Sequence, residues 1–264
     1  MKKLLGCVVM SIGFMIFSAA TVGAGEVTGE LASNPWQFTI EPYMWAFQLS
    51  GAVTVKGKQE KVKLDLTDYP TIIDELKLLL SGRFTIQKGR FGVFYDGNYL
   101  KLRDKFNGRM VSATVILRQG IEELGGMFRA ANWAVGKENK KNLSLDLLCG
   151  ARHVYLRGEG SATVPMLGVS LEADRTRQWV DPFIGGRLTL GLTKKTSISL
   201  RGDVGGFGVS SNFIWNGLVE VRHYFKKNWF VSVGYRGMNT DYEKGSFKYK
   251  VNYFGPATSV GFTF

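Results

Sequence analysis

Residues 257–264 read ATSVGFTF, and the alternation in this stretch decides the fold. Counting back from the end, Phe264, Phe262, Val260, Thr258, Pro256 and Phe254 share one face of an extended strand, and Thr263, Gly261, Ser259 and Ala257 share the other, because strand side chains alternate with period two. One face suits lipid; the other suits a polar or tightly packed interior. The last strand of a soluble sandwich can carry the same pattern, so the rest of the chain has to separate the two.

The opposite end does much of that work. Residues 1–24 begin with Lys2 and Lys3, continue through the apolar run LLGCVVMSIGFMIF and reach small residues in SAATVGAG. This is the three-part layout of a secretory signal peptide, with cleavage after Ala24 or Ala20. An uncleaved anchor is the other reading, but the apolar run is short for a membrane span. Removal of residues 1–24 leaves residues 25–264 as one domain and Cys149 as the single cysteine, so the exported protein is stable without an internal disulfide.

Composition narrows the class further. The 33 glycines against 6 prolines, with 13% aromatic residues, fit closely spaced strands. No stretch after the signal has the roughly twenty consecutive apolar residues of a spanning helix. A β-barrel needs apolar residues only at alternate positions, so its mean hydropathy stays near zero, and here it is -0.03. The net charge of +12 would usually suggest nucleic acid; export argues against that and favours anionic lipid headgroups.

Ten strand-like stretches follow one another, from 36–45, continuing through GAVTV, to 249–264. A hairpin turn falls at Lys88 and Gly89, and a phase change around Ile121 to Leu124 suggests a bulge. The connections KG, GKENKKN, TKK and KKN are short and fall on one side; the first connection, EGSATVPMLGVSLEADRT and the loops FNG, SS and EKGSF fall on the other. That sorting is the habit of an all-β, antiparallel transmembrane up-and-down β-barrel of about ten strands, with eight or twelve as the neighbouring even counts. Trp36, Trp133, Trp179, Trp229 and Phe264 lie near strand ends, where an interfacial girdle would place them.

The runs QFTIEPYMWAFQLSGAVTV, KGRFGVFYDGNYLKL, LDLLCGARHVYL, WVDPFIGGRLTLGL, SLRGDVGGFGVSSNFIWNGLVEVRHYF and VSVGYRGMNTDY resemble a family of poorly characterised proteobacterial outer-membrane β-barrel proteins, in the style of the small OmpA- and OmpW-like barrels. RGDVGGFGV and WVDPF are the most specific parts. The resemblance implies a fold and a location, the Gram-negative outer membrane, and assigns no reaction or ligand.

Function then rests on the face opposite the apolar one. It collects Glu41, Arg83, Asp96, Asp146, Arg152, Asp181, Arg187, Arg201, Asp203, Glu220, Arg222 and Arg236. Unpaired charges in a narrow, dry lumen would cost several kcal/mol each, so these are expected to pair and cross-link the wall, with Asp181, Asp203 and Glu220 relying on Arg201 and Arg222. The expected role is structural or envelope-associated. A narrow channel or carrier for small or apolar solutes is the alternative, and an enzyme acting on lipid or peptide a third. Catalysis would need a base near the outer rim, yet His153 and His223 both fall on the lipid face. No catalytic, cofactor-binding or metal-binding residues are assigned, and the glycines of GDVGGFGVSS lack the following helix of a phosphate cradle.

Two segments carry interaction readings. In 67–80, Asp68 and Pro70 suit the start of a short helix with Ile72, Ile73 and Leu76 as its stripe, making either a loop packed on the barrel mouth or a lid for an apolar ligand. Lys56, Lys58, Lys61 and Lys63 could meet lipopolysaccharide phosphates or form a solvated run. Phe264, Phe262 and Val260 are read as the assembly signal for the barrel-insertion machinery. The expected partners are outer-membrane lipids, lipopolysaccharide and that machinery, with no nucleic acid, around a monomer.

Overall fold

The computed structural model describes residues 35–55, 57–65, 76–107, 112–136, 141–164 and 169–264. The signal-peptide assignment at 1–24, Lys56, and the helix proposed over Asp68, Pro70, Ile72 and Ile73 lie outside these residues.

Twelve strands follow in chain order: β1 (Gln37–Trp45), β2 (Gln48–Val55), β3 (Lys58–Asp65), β4 (Leu76–Lys88), β5 (Phe91–Asn107), β6 (Ser112–Val135), β7 (Lys141–Val164), β8 (Val169–Gly191), β9 (Thr196–Gly205), β10 (Ser211–Tyr224), β11 (Trp229–Lys244) and β12 (Phe247–Thr263). They form a single antiparallel sheet in the order β1-β4-β5-β6-β7-β8-β9-β10-β11-β12, closed by pairing of β1 with β12. The ring therefore has ten staves. The other two strands are a hairpin added at one end: β2 continues the line of β1 along β12, and β3 folds back on β2. The first long connection thus contains a strand, and Leu76, expected in a helix stripe, begins β4 instead.

Closure is made by the first and last strands. Thr39 faces Thr263 and Met44 faces Thr258. Phe38 and Phe264 exchange both backbone hydrogen bonds, at 2.8 and 2.9 Å, and their rings stack with centroids 5.4 Å apart. Where β1 gives way to β2, Gly255 runs so close to Ala46 that a Cβ would overlap the Ala46 carbonyl.

We call the end that carries these termini the inner end. Its first turn is a two-residue loop, Gly89 and Arg90, between the paired Lys88 and Phe91, one residue later than the sequence suggested. Gly89 has φ of 58° at the first central position, the left-handed value that primed hairpin turns require. Gly245, with φ of 60°, repeats the device at the outer end between Lys244 and Phe247.

The outward face of the inner half is apolar. Ile40, Phe84, Leu124, Leu147, Ile184, Leu200, Val219 and Val233 are all exposed there. Trp36, Trp133, Trp229 and Phe264 are exposed near the inner end, as an interfacial girdle requires. Trp179 is a correction: only 5% exposed, it points into the barrel.

A spanning strand needs about 9–11 residues, yet β6 and β7 have 24 each and β8 has 23. These three rise well beyond an apolar belt, and most of EGSATVPMLGVSLEADRT, read as a loop, is their continuing ladder. The outer face of this upper wall is polar. Polar pairs cross between strands there: Asn239 with Asn252 at 2.8 Å, Asp241 with Lys250 at 2.9 Å, Glu243 with Lys248 at 2.6 Å, and Arg118 with Glu159. Arg157 donates to Asp174 at 2.6 Å and holds that carboxyl below the usual carboxylate range.

Candidate functional site

The lumen is the only interior the described residues enclose, and the ladder registers build its charged layer. Glu41 lies opposite Arg83, Arg83 opposite Asp96, Asp96 opposite Glu123, Glu123 opposite Arg152, and Arg152 opposite Asp181. One continuous inward row thus crosses six strands, mostly with alternating sign. A second row, Arg129, Asp146, Arg187 and Arg201, crosses β6 to β9 below it. All twelve charged residues singled out from the sequence point inward.

Two groups that the sequence reading missed complete this layer. Glu123 is 1% exposed and sits at its centre, bonded to Arg152 at 3.0 Å, Arg201 at 2.6 Å and Arg236 at 3.1 Å. Arg129 shares Asp146 with Arg187, each at 2.8 Å. The cause of the omission lies in β6. No bulge occurs at Ile121 to Leu124, where pairing with both neighbours is unbroken; the register shift falls between Arg129 and Ala131. Of the adjacent pair Glu122 and Glu123, the first is exposed on the outer wall, with its carboxylate 3.3 Å from His153, and only the second turns in. A tally of faces on both sides of the correct bulge would have found both residues.

The partners also differ from the simple expectation. Asp203 is held by Arg152 at 2.5 Å, Arg201 at 2.9 Å and the Asn216 amide at 2.8 Å. Arg83 reaches Glu41, Asp96 and Glu220 at 3.3, 3.3 and 3.5 Å, and Arg222 spans Glu41 and Glu220 at 2.8 and 3.4 Å. Tyr43 donates to Asp96 at 2.6 Å and accepts from Arg236 at 3.2 Å. Asp181 leans on none of these arginines. It accepts the Ser211 backbone N–H at 2.7 Å and the Ser211 hydroxyl at 2.6 Å, fixing the turn between β9 and β10.

Above the charges the lumen is apolar. Trp45, Phe47, Leu100, Ile121, Val154, Trp179, Met238, Tyr242, Val251 and Tyr253 belong to one buried cluster. Trp179 stacks on Tyr242 with centroids 4.0 Å apart, and the hydroxyls of Tyr249 and Tyr253 meet at 2.5 Å. Guanidinium groups pack on aromatic rings of both apolar clusters, with Arg236 lying 4.8 Å over Trp45 and Arg152 5.2 Å over Phe183, which belongs to a separate, smaller cluster with Phe94, Met127 and Leu148. Two cavities in the charged layer measure about 10 and 20 Å³; each has room for about one water.

Chemically, this arrangement ties the strands of the wall together through ion pairs. The imidazoles of His153 and His223 lie on the outer wall, His223 with Thr196 at 2.9 Å, and Cys149 is exposed there too. Among the described residues, no group of three or more His, Cys, Asp or Glu side chains is placed to hold a metal ion.

No protein-family model matches the sequence, and no curated protein matches it. Among solved structures, the chain is similar to the outer membrane protease OmpT from Escherichia coli, at 12% identity over 91% of this chain and 100% of that one, with a TM-score of 0.48. It is similar to Ail, the attachment invasion locus protein of Yersinia pestis, at 12% identity over 88% and 100%, with a TM-score of 0.34. The translocator domain of the autotransporter NalP from Neisseria meningitidis gives 12% identity over 89% and 90%, with a TM-score of 0.37. Those three differ in what they do, and no role passes from them to this chain.

Proposed function

We propose that this chain is a monomeric outer-membrane β-barrel of a Gram-negative envelope, with a closed, salt-bridged lumen and a structural or envelope-associated role. The observation that carries this reading is the filling of the lumen at two successive levels, ionic and then aromatic, with cavities in the ionic layer of only about 10 and 20 Å³. Ions crossing it would have to break both layers. The apolar outer wall supports insertion, and the inner end, with its short turns, is the periplasmic one.

The test is conductance. The purified protein in planar bilayers is expected to pass no steady current. A clear, steady, anion-selective current would overturn closure and support the second reading, a narrow channel or carrier for small or apolar solutes. The partial exposure of the Arg129, Arg187 and Arg222 side chains, at 31, 28 and 23%, favours that alternative at the inner mouth.

Partners on this reading are outer-membrane lipids, lipopolysaccharide near the exposed Lys58, Lys61 and Lys63, and the barrel-insertion machinery. The machinery would read Phe264, Phe262 and Val260 before β12 closes on β1. Phe264→Asp is expected to lower the inserted, heat-modifiable fraction severalfold; unchanged insertion would remove the signal from this account.

A further inference from the structure

The charges at the two ends of the barrel are handled differently. At the outer end, Lys248, Lys250, Arg157 and Arg118 pair with carboxylates across the sheet. At the inner end, the turns carry Lys88 and Arg90, Lys141, Lys194 and Lys195, and Lys226 and Lys227, all exposed. Apart from Glu138 these turns contain no Asp or Glu, and among the described residues no carboxylate pairs with these cations.

The position of this rim is as informative as its sign. It stands beside exposed aromatics: Trp36, Phe91, Trp133, Phe225, Trp229 and Phe264 are each 44 to 69% exposed at the same end. Lys88 places its ammonium 5.1 Å over the Trp36 ring, so cation and aromatic share the outer perimeter and not the mouth of the lumen. Exposed aromatics mark the level of lipid headgroups, and cations immediately beyond them that pair with no described carboxylate face phosphates there. A soluble acidic partner would need no aromatic band beside its contacts.

We infer that the inner rim is a binding surface for anionic phospholipid headgroups of the inner leaflet, centred on Lys194, Lys195, Lys226 and Lys227. It rests on the membrane-barrel reading above and adds a lipid preference to it. The preference should come from charge, and at 1 M salt, where the screening length is about 3 Å, it should fade.

The experiment uses the full mature chain in vesicles, with spin-labelled phosphatidylglycerol and phosphatidylcholine as probes of the lipid layer touching the protein. Wild type is expected to favour phosphatidylglycerol by about threefold or more, since several cations act together on each headgroup at the rim. Combined Lys194→Gln, Lys195→Gln, Lys226→Gln and Lys227→Gln should bring the ratio close to one, while Lys248→Gln with Lys250→Gln, whose ammonium groups pair with Glu243 and Asp241 at the other end, should leave it unchanged. If the quadruple variant fails to fold, loss of the wild-type preference at 1 M salt carries the test. Equal association of both lipids with wild type would overturn the inference and turn attention to an acidic soluble partner; so would a preference that survives either salt or the quadruple variant. Failure to insert into vesicles at all would instead defeat the membrane-barrel reading.

Discussion

Strand β12 shows the contrast between the two halves of this barrel. From Phe264 back to Phe254 its outward residues are mostly apolar and its inward ones are Thr263, Gly261, Ser259, Ala257 and Gly255. One turn of the pattern later the outward residues are Asn252, Lys250 and Lys248, and the inward ones Tyr253, Val251, Tyr249 and Phe247, all buried. The register of β12 with β11 does not slip between the two parts. Strand β5 does the same, with Val93 and Tyr95 outward below, and Leu100 and Leu102 inward above Lys101 and Arg103. The ladder continues, and on the membrane-barrel reading proposed above it is the solvent outside that changes. Where lipid touches the wall, apolar side chains face out; where water does, they turn in and make a core of the ordinary kind.

The two interiors should respond differently to damage. The inner layer is costly to break: Arg152→Ala combined with Arg201→Ala removes both arginines from Asp203, and orphaning a buried carboxylate costs about 3–5 kcal/mol. Denaturant unfolding in detergent should show a loss of that order. Unchanged stability would mean hydrated charges and a wet lumen, and the comparison would collapse. In the outer layer the polar part is minor. Tyr253→Phe removes one hydroxyl from the Tyr249 pair and should cost about 1 kcal/mol, the usual net worth of a hydrogen bond. A loss as large as that of the arginine pair would show that the outer core depends on its polar contacts and not on burial.

The charged layer also protects the register. A slip of one residue would turn the slipped strand inside out, exposing its arginines to lipid at about 2–4 kcal/mol each near the midplane. The sequence carries this information in its parity, which is why the inward set could be read before any coordinates. Parity failed at β6 for a definite reason. The inversion of apolar face at Ile121 to Leu124 looks like a bulge in one dimension, and the actual extra residue near Ala130 sits in MFRAANW, where both faces are partly covered and alternation is weak. Trp179 was misplaced by the same inversion, since an aromatic above the belt belongs inside. The upper parts of β7 and β8 read as loop because water touches both faces of a projecting wall, and the period-two signal disappears while its hydrogen bonds persist.

By itself, the sequence determined the ten staves of the ring, the apolar outer face of the inner half, the short inner turns and the inward charges, because strand parity and turn chemistry are local properties. Tertiary structure decided which charges meet. Arg201 joins Glu123 from 78 positions away, and Arg222 joins Glu41 from 181. Period two fixes the face of a side chain but neither its height nor its bearing around the axis; those follow from the closure of β1 on β12 and the offset accumulated strand by strand. The same closure gathers Trp45, Trp179, Tyr242 and Tyr253 from four separate strands into one plug, a cluster that exists only once the ring has shut.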